Sequence, residues 1–452
     1  MKTATKAQII LIIYALLYLL PVIPGASASL PADRQARLPA YYHKIQELTT
    51  RIEPEIIAIR RDLHAHPELA FQEKRTAGIV ADYFRKLGLE VRTGIGGTGV
   101  LSVLKGGLPG PVLAMRGDMD ALAITEETDL PFASREKVMR NGQETGLMHA
   151  CGHDIHTAML LGVASVLSQM KSQVPGTILF IAQPAEEWGD GAQKMLQDGV
   201  FRDYRPEAIF AFHVDDTLKA GYVHYVSGYS GANCDTFFLN INSEGCHGAN
   251  PDQCVDPIVV GSHVVLALQA MISREIDVHD HTVITVGYFH AGTATNIIPE
   301  KAELRATVRS YGDEQRERLK EKITRTITGI CQSHGAPFEL DYQFGTPSLY
   351  NHPELLQAIL PTAEAVLGGA DRLIEDRPEM GGEDFSYFAR EIPAVMLSLG
   401  VVPPHLEKTS VHSPTFMADE KAIGIGIKLM SCILMDYARK PAARRVRPFK
   451  TS

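Results

Sequence analysis

Five side chains that bind metals readily lie close together in the stretch 149–156, which reads His-Ala-Cys-Gly-His-Asp-Ile-His. Thiolate and imidazole groups are both good ligands for zinc-like metals, and Gly152 lets the backbone turn so that Cys151 and His153 can face one point. Apolar residues recur at helical spacing directly afterwards, so the stretch sits at a helix N-terminus. A single histidine at a helix start usually caps or packs, but this density predicts a metal site.

Two adjacent glutamates, Glu186 and Glu187, follow the apolar strand predicted over 177–182. Adjacent carboxylates can divide the work of hydrolysis, since one can ligate a metal while the other accepts a proton from water. Paired glutamates are also common on solvated faces. Their position after a buried strand, behind Gln-Pro-Ala, favours the catalytic interpretation.

Two histidines and two aspartates complete this candidate set. His213 ends one apolar strand, and His412 follows another strand and a loop. Each alone is a weak signal, because a lone histidine is more often a satisfied core residue. Asp118 and Asp120 come just after a further strand, and a carboxylate near metal-bound imidazoles commonly orients a ligand. We expect Asp120 to take that supporting role and leave the role of Asp118 open.

The elements around these residues predict an α/β fold with a doubly wound, mostly parallel sheet. Short apolar strands alternate with amphipathic helices as far as about residue 229. In open parallel sheets the reactive loops lie beyond the carboxyl ends of strands, and the polar clusters fall at such positions. The strands concerned are 112–116, 177–182, 208–213 and 394–400.

The stretch 230–342 differs and predicts an inserted domain. It contains a strand, a helix, two strands and a second helix, which make a small α+β unit before the α/β pattern resumes. We therefore expect a discontinuous catalytic domain formed by residues 45–229 and 343–440. A basic tail, residues 441–452, follows it.

Composition and the N-terminus indicate the compartment and the partners. The chain has 452 residues, 45% of them hydrophobic, enough for two domains with sizeable cores. A formal net charge of −9 argues against a nucleic-acid partner.

Two lysines, an apolar run over 9–20 and an Ala-Ser-Ala stretch predict a secretory signal, residues 1–28. A membrane anchor is the alternative, but Pro21 ends the run too early for a span. We expect an exported protein, periplasmic or secreted, with no stable membrane span after cleavage.

The six cysteines contain no CxxC pair, which excludes a zinc ribbon or a thioredoxin motif. Cys246 and Cys254 could pair in an oxidising compartment, and spacing alone does not decide it. We expect them to be free.

Polar residues of the inserted stretch are candidates for substrate binding. His247, in a Cys-His-Gly-Ala turn, could stabilise an oxyanion. Asn296 and Arg309 together would make a clamp for a carboxylate. The spacing of these residues is equally consistent with structural roles.

Seven motifs follow one another along the chain: 118–122, 149–153, 183–187, 247–249, 296–299, 382–385 and 412–414. Together they resemble the amidohydrolase branch of the dinuclear metallopeptidases related to carboxypeptidase G2 and aminoacylase-1. That branch includes hippurate hydrolase, indole-acetyl-amino-acid hydrolases and N-acetyldiaminopimelate deacetylase. The resemblance spans residues 50–435.

The resemblance implies a zinc-exopeptidase-like catalytic domain that binds two divalent ions, zinc, manganese or cobalt. It implies that Glu186 is the general base, which takes the proton of a metal-bridging water and passes it to the leaving amine. The implied ligands are Cys151, His153, Glu187, His213 and His412.

The resemblance also implies that the insert is a lid and dimerisation domain of a homodimer, in which His247, Asn296 and Arg309 act on the substrate. The chain departs from the wider family in three features. Asp118 stands where a histidine is usual, and Cys246 stands where a glycine is common. A histidine that often follows the lid proline is also missing. These departures bear on the lid contacts rather than on the metal ligands.

The leading hypothesis is metal-dependent hydrolysis of the amide bond of N-acyl or N-aroyl amino acids, releasing a carboxylic acid and a free amino acid. A carboxypeptidase or dipeptidase acting on small peptides is the alternative within enzymes. A non-catalytic periplasmic binding protein is the third candidate, against which the intact Glu186 argues. A dehydrogenase is excluded, since no GxGxxG opens a helix after an early strand.

Overall fold

The computed structural model describes residues 38–140 and 142–446, so the predicted signal segment, 1–28, lies outside the described residues. The strands, in chain order, are β1 Glu90–Ile95, β2 Gly99–Lys105, β3 Leu108–Asp118, β4 Lys137–Arg140, β5 Gln143–Gly146, β6 Pro175–Gln183, β7 Ala208–Lys219, β8 Val223–Tyr225, β9 Gly228–Gly231, β10 Asn233–Asn242, β11 Cys246–His247, β12 Val283–Ala291, β13 Ile297–Ile298, β14 Lys301–Ser310, β15 Phe338–Thr346, β16 Leu349–Asn351, β17 Leu373–Glu375 and β18 Ala394–Val402. The helices are α1 Ala40–Ala65, α2 Lys74–Lys86, α3 His153–Gln169, α4 Gly191–Gln197, α5 Pro257–Glu275, α6 Asp313–Ser333, α7 Pro353–Leu367, α8 Ser386–Glu391 and α9 Lys421–Arg439.

The larger sheet has eight strands in the order β1-β2-β6-β3-β7-β18-β8-β17. The four strands singled out in the sequence are β6, β3, β7 and β18, which occupy its middle and pair in parallel. The pairs β1–β2, β2–β6 and β8–β18 are antiparallel, whereas β8–β17 is parallel. The predicted α/β fold with a mostly parallel sheet is confirmed.

Apolar runs in the central strands are explained by helices on both faces of this sheet. Successive side chains of a strand point to opposite faces. In β6, Leu179 and Ile181 join a core that includes Phe388 of α8. Between them, Phe180 points the other way and stacks on Phe84 of α2, with ring centroids 6.0 Å apart. Both faces of a strand in such a sheet are therefore apolar.

A second sheet of four antiparallel strands, ordered β12-β14-β10-β15, forms from the inserted stretch. Burial alternates along β10, and its inward residues, such as Phe237 and Leu239, share a core with Val264 of α5 and Ile323 of α6. The predicted order of strand, helix, two strands and helix is present. Strand β15 was not predicted, and it continues past residue 342.

The boundaries of the two predicted domains stay a prediction. The two sheets have separate cores, yet the chain from Pro39 onwards groups as one compact unit. Of the predicted basic tail, the described part reaches only residue 446.

Within the described ranges, α5 is the helix that is long and apolar enough to cross a membrane by length and composition. Its buried residues include Val260, Val264, Leu268 and Met271. This spacing makes a stripe along one side of the helix, which faces the core of the second sheet.

Cys246 and Cys254 form a disulfide, with their Cα atoms 6.0 Å apart. The expectation that these cysteines are free is therefore wrong. The chain between them turns through a short 3-10 helix, Pro251–Gln253, which brings its ends together. Four other cysteines in the described residues remain thiols: Cys151, Cys234, Cys331 and Cys432.

Candidate metal centre

Six of the predicted site residues meet on the carboxyl-end side of the central parallel strands, where ligands of open α/β sheets bind. They are Cys151 and His153 at the start of α3, Glu186 and Glu187 in a 3-10 turn after β6, His213 within β7, and His412 in the loop after β18.

The backbone that aims these side chains adopts left-handed conformations. Gly152, which precedes α3, has a φ of 79°, and a Cβ there would lie 2.8 Å from a methyl group of Val214. Two non-glycine residues of the site, Ala185 and His412, have φ values of 51° and 57°. Such conformations are costly for residues with a Cβ and cluster at functional sites. The glycine at 152 is therefore required by both conformation and space.

The potential ligand atoms converge on the thiol of Cys151. Its Sγ lies 3.4 Å from Nε2 of His213 and 3.3 Å from Nε2 of His412. His412 Nε2 is also 3.5 Å from Oε1 of Glu187. The sets Cys151/His153/His213 and Cys151/Glu187/His412 each have ligand atoms within 4.8 Å of one another. Cys151 belongs to both of these sets, and His153 also groups with Glu186 and Glu187, so the candidate sets overlap in one cluster.

The donor atoms of this cluster fit a metal. Nε2 of His153 and Oε1 of Glu187 are buried and make no hydrogen bond to the part of the chain that is described. Buried polar atoms are nearly always hydrogen-bonded. Two unpaired donor atoms in the same cluster therefore indicate that they bind a group that the described chain does not supply. Sulfur, nitrogen and carboxylate oxygen together suit zinc-like divalent ions.

Two further histidines of the same stretch are placed differently. His156 has both ring nitrogens engaged, since Nδ1 lies 2.6 Å from Asp118 and Nε2 accepts from the backbone of Val214 at 2.9 Å. Burial lowers the pKa of His156 to about 4. It therefore supports the site from behind and has no free nitrogen for a metal. Burial likewise lowers the pKa of His149 to about 4, and the ring stays neutral.

Asp120 holds the two glutamates in place. Its carboxylate accepts hydrogen bonds from the backbone N–H groups of Glu186 and Glu187, each at 3.0 Å. Its backbone oxygen lies 2.9 Å from Nδ1 of His153, which leaves Nε2 of that ring to face the cluster. Asp120 is thus placed to orient three members of the cluster.

Arg116 is a buried cation that sequence reasoning did not single out. It pairs with Asp118, and its Nη2 donates to Glu383 at 2.8 Å and to Asp384 at 3.2 Å. Its Nε donates to Gln183 at 2.8 Å. One arginine thus compensates three carboxylates behind the site. The sequence does contain one indication of this role, because Arg116 is a charged residue inside an otherwise apolar strand, two residues before Asp118.

Glu186 lies at the edge of this carboxylate group, and its Oε2 is 3.9 Å from His153 Nε2. Burial raises the pKa of Glu186 well above its ordinary value, and the charges of Glu383 and Asp384 add to the effect. Burial also raises the pKa of Glu187. A carboxylate of high proton affinity at this position can take up a proton from water.

His247 and Asn296 lie apart from the cluster. Both are exposed, and they adjoin one another through the β11–β13 pairing, where Gly248 N donates to Asn296 O at 2.8 Å. Nδ1 of His247 accepts from Ala249 N at 3.1 Å. Across the described ranges, neither side chain hydrogen-bonds or ion-pairs with a predicted metal ligand.

Arg309 lies near the end of β14, in the second sheet. Its guanidinium donates to Thr307 at 2.9 Å and to the thiol of Cys234. A Cβ at Gly382, next to Glu383, would lie 3.6 Å from its Nη1 and 2.1 Å from the Cys234 sulfur, so only glycine fits there. Within the described residues no carboxylate pairs with Arg309, and its charge remains available to a ligand.

Residues 114–436 match the profile of peptidase family M20/M25/M40. The chain belongs to this family. The resemblance inferred from the motifs is therefore confirmed, and the protein is a metal-dependent hydrolase. The assignment of individual ligands and of catalytic and substrate-binding residues stays a prediction, which the cluster described above supports.

Three proteins illustrate what this chain is similar to. An N-acyl-L-amino acid amidohydrolase of Geobacillus stearothermophilus is 39% identical over 69% of this chain and 82% of its own length. Thermostable carboxypeptidase 1 of Saccharolobus solfataricus is 34% identical over 88% of this chain and 99% of its own length. The crystal structure of the YXEP protein of Bacillus subtilis, a dinuclear metal-binding peptidase, superposes with a TM-score of 0.73 at 33% identity. It covers 85% of this chain and 98% of that one.

Proposed function

We propose that the protein hydrolyses the amide bond of N-acyl or N-aroyl amino acids and releases a carboxylic acid and a free amino acid. The observation that carries this proposal is the position of Glu186, a carboxylate whose side chain is 12% exposed, beside a cluster of convergent sulfur, imidazole and carboxylate ligands. The name of the Geobacillus relative supports the substrate class.

Glu186 performs the proton transfers in this proposal. Its carboxylate accepts a proton from the attacking water and then passes it to the leaving amine nitrogen. Asp120 fixes the direction of that carboxylate through the backbone N–H groups of Glu186 and Glu187. The carboxyl group of Glu186 holds the proton between the two steps.

Two divalent ions per chain are the proposed cofactors, and Cys151 belongs to two of the groups that could hold them. When bound, they would acidify the water and polarise the scissile carbonyl. Their ligands would be Cys151, His153, Glu187, His213 and His412. Zinc is favoured by the thiolate and the imidazoles, whereas manganese and cobalt remain compatible with this ligand set.

Arg309 is the proposed partner of the substrate carboxylate, because a guanidinium binds a carboxylate through two parallel hydrogen bonds. It adjoins Gly382, and the next residue, Glu383, belongs to the carboxylate group beside Glu186. His247 and Asn296, which lie apart, would reach the same substrate only by closure of the insert or from a second subunit. His247 would then stabilise the oxyanion.

A carboxypeptidase or dipeptidase activity is the second candidate, and the Saccharolobus relative supports it by name. The deciding experiment offers metal-loaded protein a panel of N-acetyl and N-benzoyl amino acids, including hippurate, beside alanine-containing dipeptides. We expect amine release from the acyl amino acids, with hippurate cleaved faster than the dipeptides. Faster cleavage of the dipeptides would favour the second candidate, and no amine from the acyl panel would refute the proposal.

Export and dimerisation are part of the proposal. The Cys246–Cys254 disulfide suits an oxidising compartment and so supports a periplasmic or secreted location. A homodimer through the insert is supported by exposed apolar residues of α5, Val259 and Leu266, and by the edge strand β12. Fractionation of the native cells and the mass of the purified protein in solution test the two points.

A further inference from the structure

A cavity of about 400 Å³ lies between α1, the carboxyl end of α7 and the first half of α9. No predicted metal ligand lines it, so it is distinct from the centre described above. Four charged residues do line it: Glu53, Arg372, Lys421 and Lys428. Its volume falls within the range of small-molecule sites, about 300–1,000 Å³.

Among the described residues these four charges have no charged partner, and the Arg372 guanidinium lies over the ring of Tyr222, 5.2 Å from its centroid. In the described ranges, the side chains of Glu53, Arg372, Lys421 and Lys428 make neither hydrogen bonds nor ion pairs. Lys428 is half-buried, and burial lowers its pKa. Burial also raises the pKa of the half-buried Glu53. Charges withdrawn from water are unfavourable unless they are compensated. The ammonium group of Lys428 and the carboxylate of Glu53 would therefore each be stabilised by a ligand group of opposite charge.

A buried hydroxyl points to the same conclusion. Thr49 lines the cavity and is only 2% exposed, yet its Oγ1 makes no hydrogen bond to any described residue. Buried hydroxyls without a partner are rare in folded proteins. A polar ligand in the cavity would satisfy this group together with the charges.

The sequence of α9 makes room for Glu53. Gly424 lies inside this helix, where glycine is a poor helix former. A Cβ at this position would lie 2.3 Å from Oε1 of Glu53. The glycine therefore permits the carboxylate to reach the cavity wall, and a larger residue would displace it.

We propose that this cavity binds an α-amino acid with a second carboxylate. The three cations, Arg372, Lys421 and Lys428, face its carboxylates, Glu53 receives its ammonium group, and Thr49 donates to or accepts from a remaining polar atom. Three positive charges against one negative charge favour a ligand with net negative charge. The site does not depend on the proposed reaction, although an amino acid is also a product of that reaction.

Calorimetric titration of the metal-loaded protein with glutamate, alanine, glutarate and phosphate tests the proposal. We expect glutamate to bind at least about tenfold more tightly than the other three, since each lacks at least one of the charge-assisted contacts. Lys428→Met and Glu53→Gln should each weaken glutamate binding about tenfold or more. Lys44→Met, which removes an exposed charge on α1 outside the cavity, should leave it unchanged.

Three results would overturn the proposal. Equal affinity for glutarate or phosphate would show a site for anions alone. Unchanged glutamate affinity in Lys428→Met, with a loss in Arg309→Met, would place the amino acid at the metal centre. No binding of glutamate by the wild type would show that the cavity has no such ligand. If Lys428→Met fails to fold, Gly424→Ala serves instead, because its methyl group displaces the Glu53 carboxylate.

Discussion

Replacement of Asp120 by asparagine measures what the carboxylate beneath the Glu186–Glu187 turn contributes. Asp120 is 1% exposed, and its two oxygens each accept one backbone N–H at 3.0 Å. Asparagine keeps one oxygen but turns an NH₂ group towards the second N–H, so one buried donor loses its acceptor. A hydrogen bond to a charged group contributes about 1.5–3 kcal/mol. If this loss falls on the transition state, kcat/KM decreases about ten- to hundredfold.

The assay is kcat/KM on an N-acyl amino acid together with metal content for the wild type and Asp120→Asn. Asp82→Asn is the matched control, because it removes the same charge from a side chain that is 79% exposed. We expect the control to match the wild type and Asp120→Asn to lose activity, metal or both, as is usual for groups that orient metal ligands. Wild-type kcat/KM and full metal content in Asp120→Asn would refute the reasoning.

Three further predictions concern a buried histidine, an exposed aromatic ring and the carboxylate clamp. Burial lowers the pKa of His64, but Asp154 and Glu126 outweigh this effect and raise it. The stabilisation that protonated His64 gives to the fold is therefore complete below about pH 6.5 and is lost as pH rises through the raised pKa. Urea unfolding of the wild type and of His64→Gln, measured at several pH values, should show that the difference between their free energies of unfolding shrinks as pH rises. Trp188 directly follows Glu187 and is 63% exposed. Trp188→Ala should lower the ratio of kcat/KM for N-benzoyl over N-acetyl substrates about tenfold. An unchanged ratio would exclude Trp188 from binding the acyl group. Arg309→Met should abolish the preference for hippurate over its carboxamide, and a retained preference would contradict the clamp.

The metal cluster was largely accessible to sequence reasoning because its members follow local rules. Cys151 and His153 precede a periodic helix, and the two glutamates follow a buried strand. Their contact with His412 could not be read from spacing, since 261 residues separate it from Cys151. The order of the parallel strands in the sheet brings these segments to one edge. In the sequence, only the family resemblance indicated that they meet.

Other features were missed for identifiable physical reasons. Arg116 acquires its role from Glu383, which is 267 positions away, and an isolated arginine in a strand has no local sign of that partner. Strand β15 has a side that is largely exposed, so its sequence lacks a continuous apolar run. The Cys246–Cys254 disulfide depends on the path of the chain between the two residues, which their separation of eight does not specify.

The central claim is that Glu186 acts as the base beside two bound metal ions. The most direct test is the metal content of the purified wild type and of Glu186→Gln, measured with hydrolysis of N-acyl amino acids. We predict two metals per chain in both proteins and activity only in the wild type, because glutamine keeps the shape of the side chain but cannot take a proton. A wild type without metal, or a Glu186→Gln variant that retains full activity, would contradict the account.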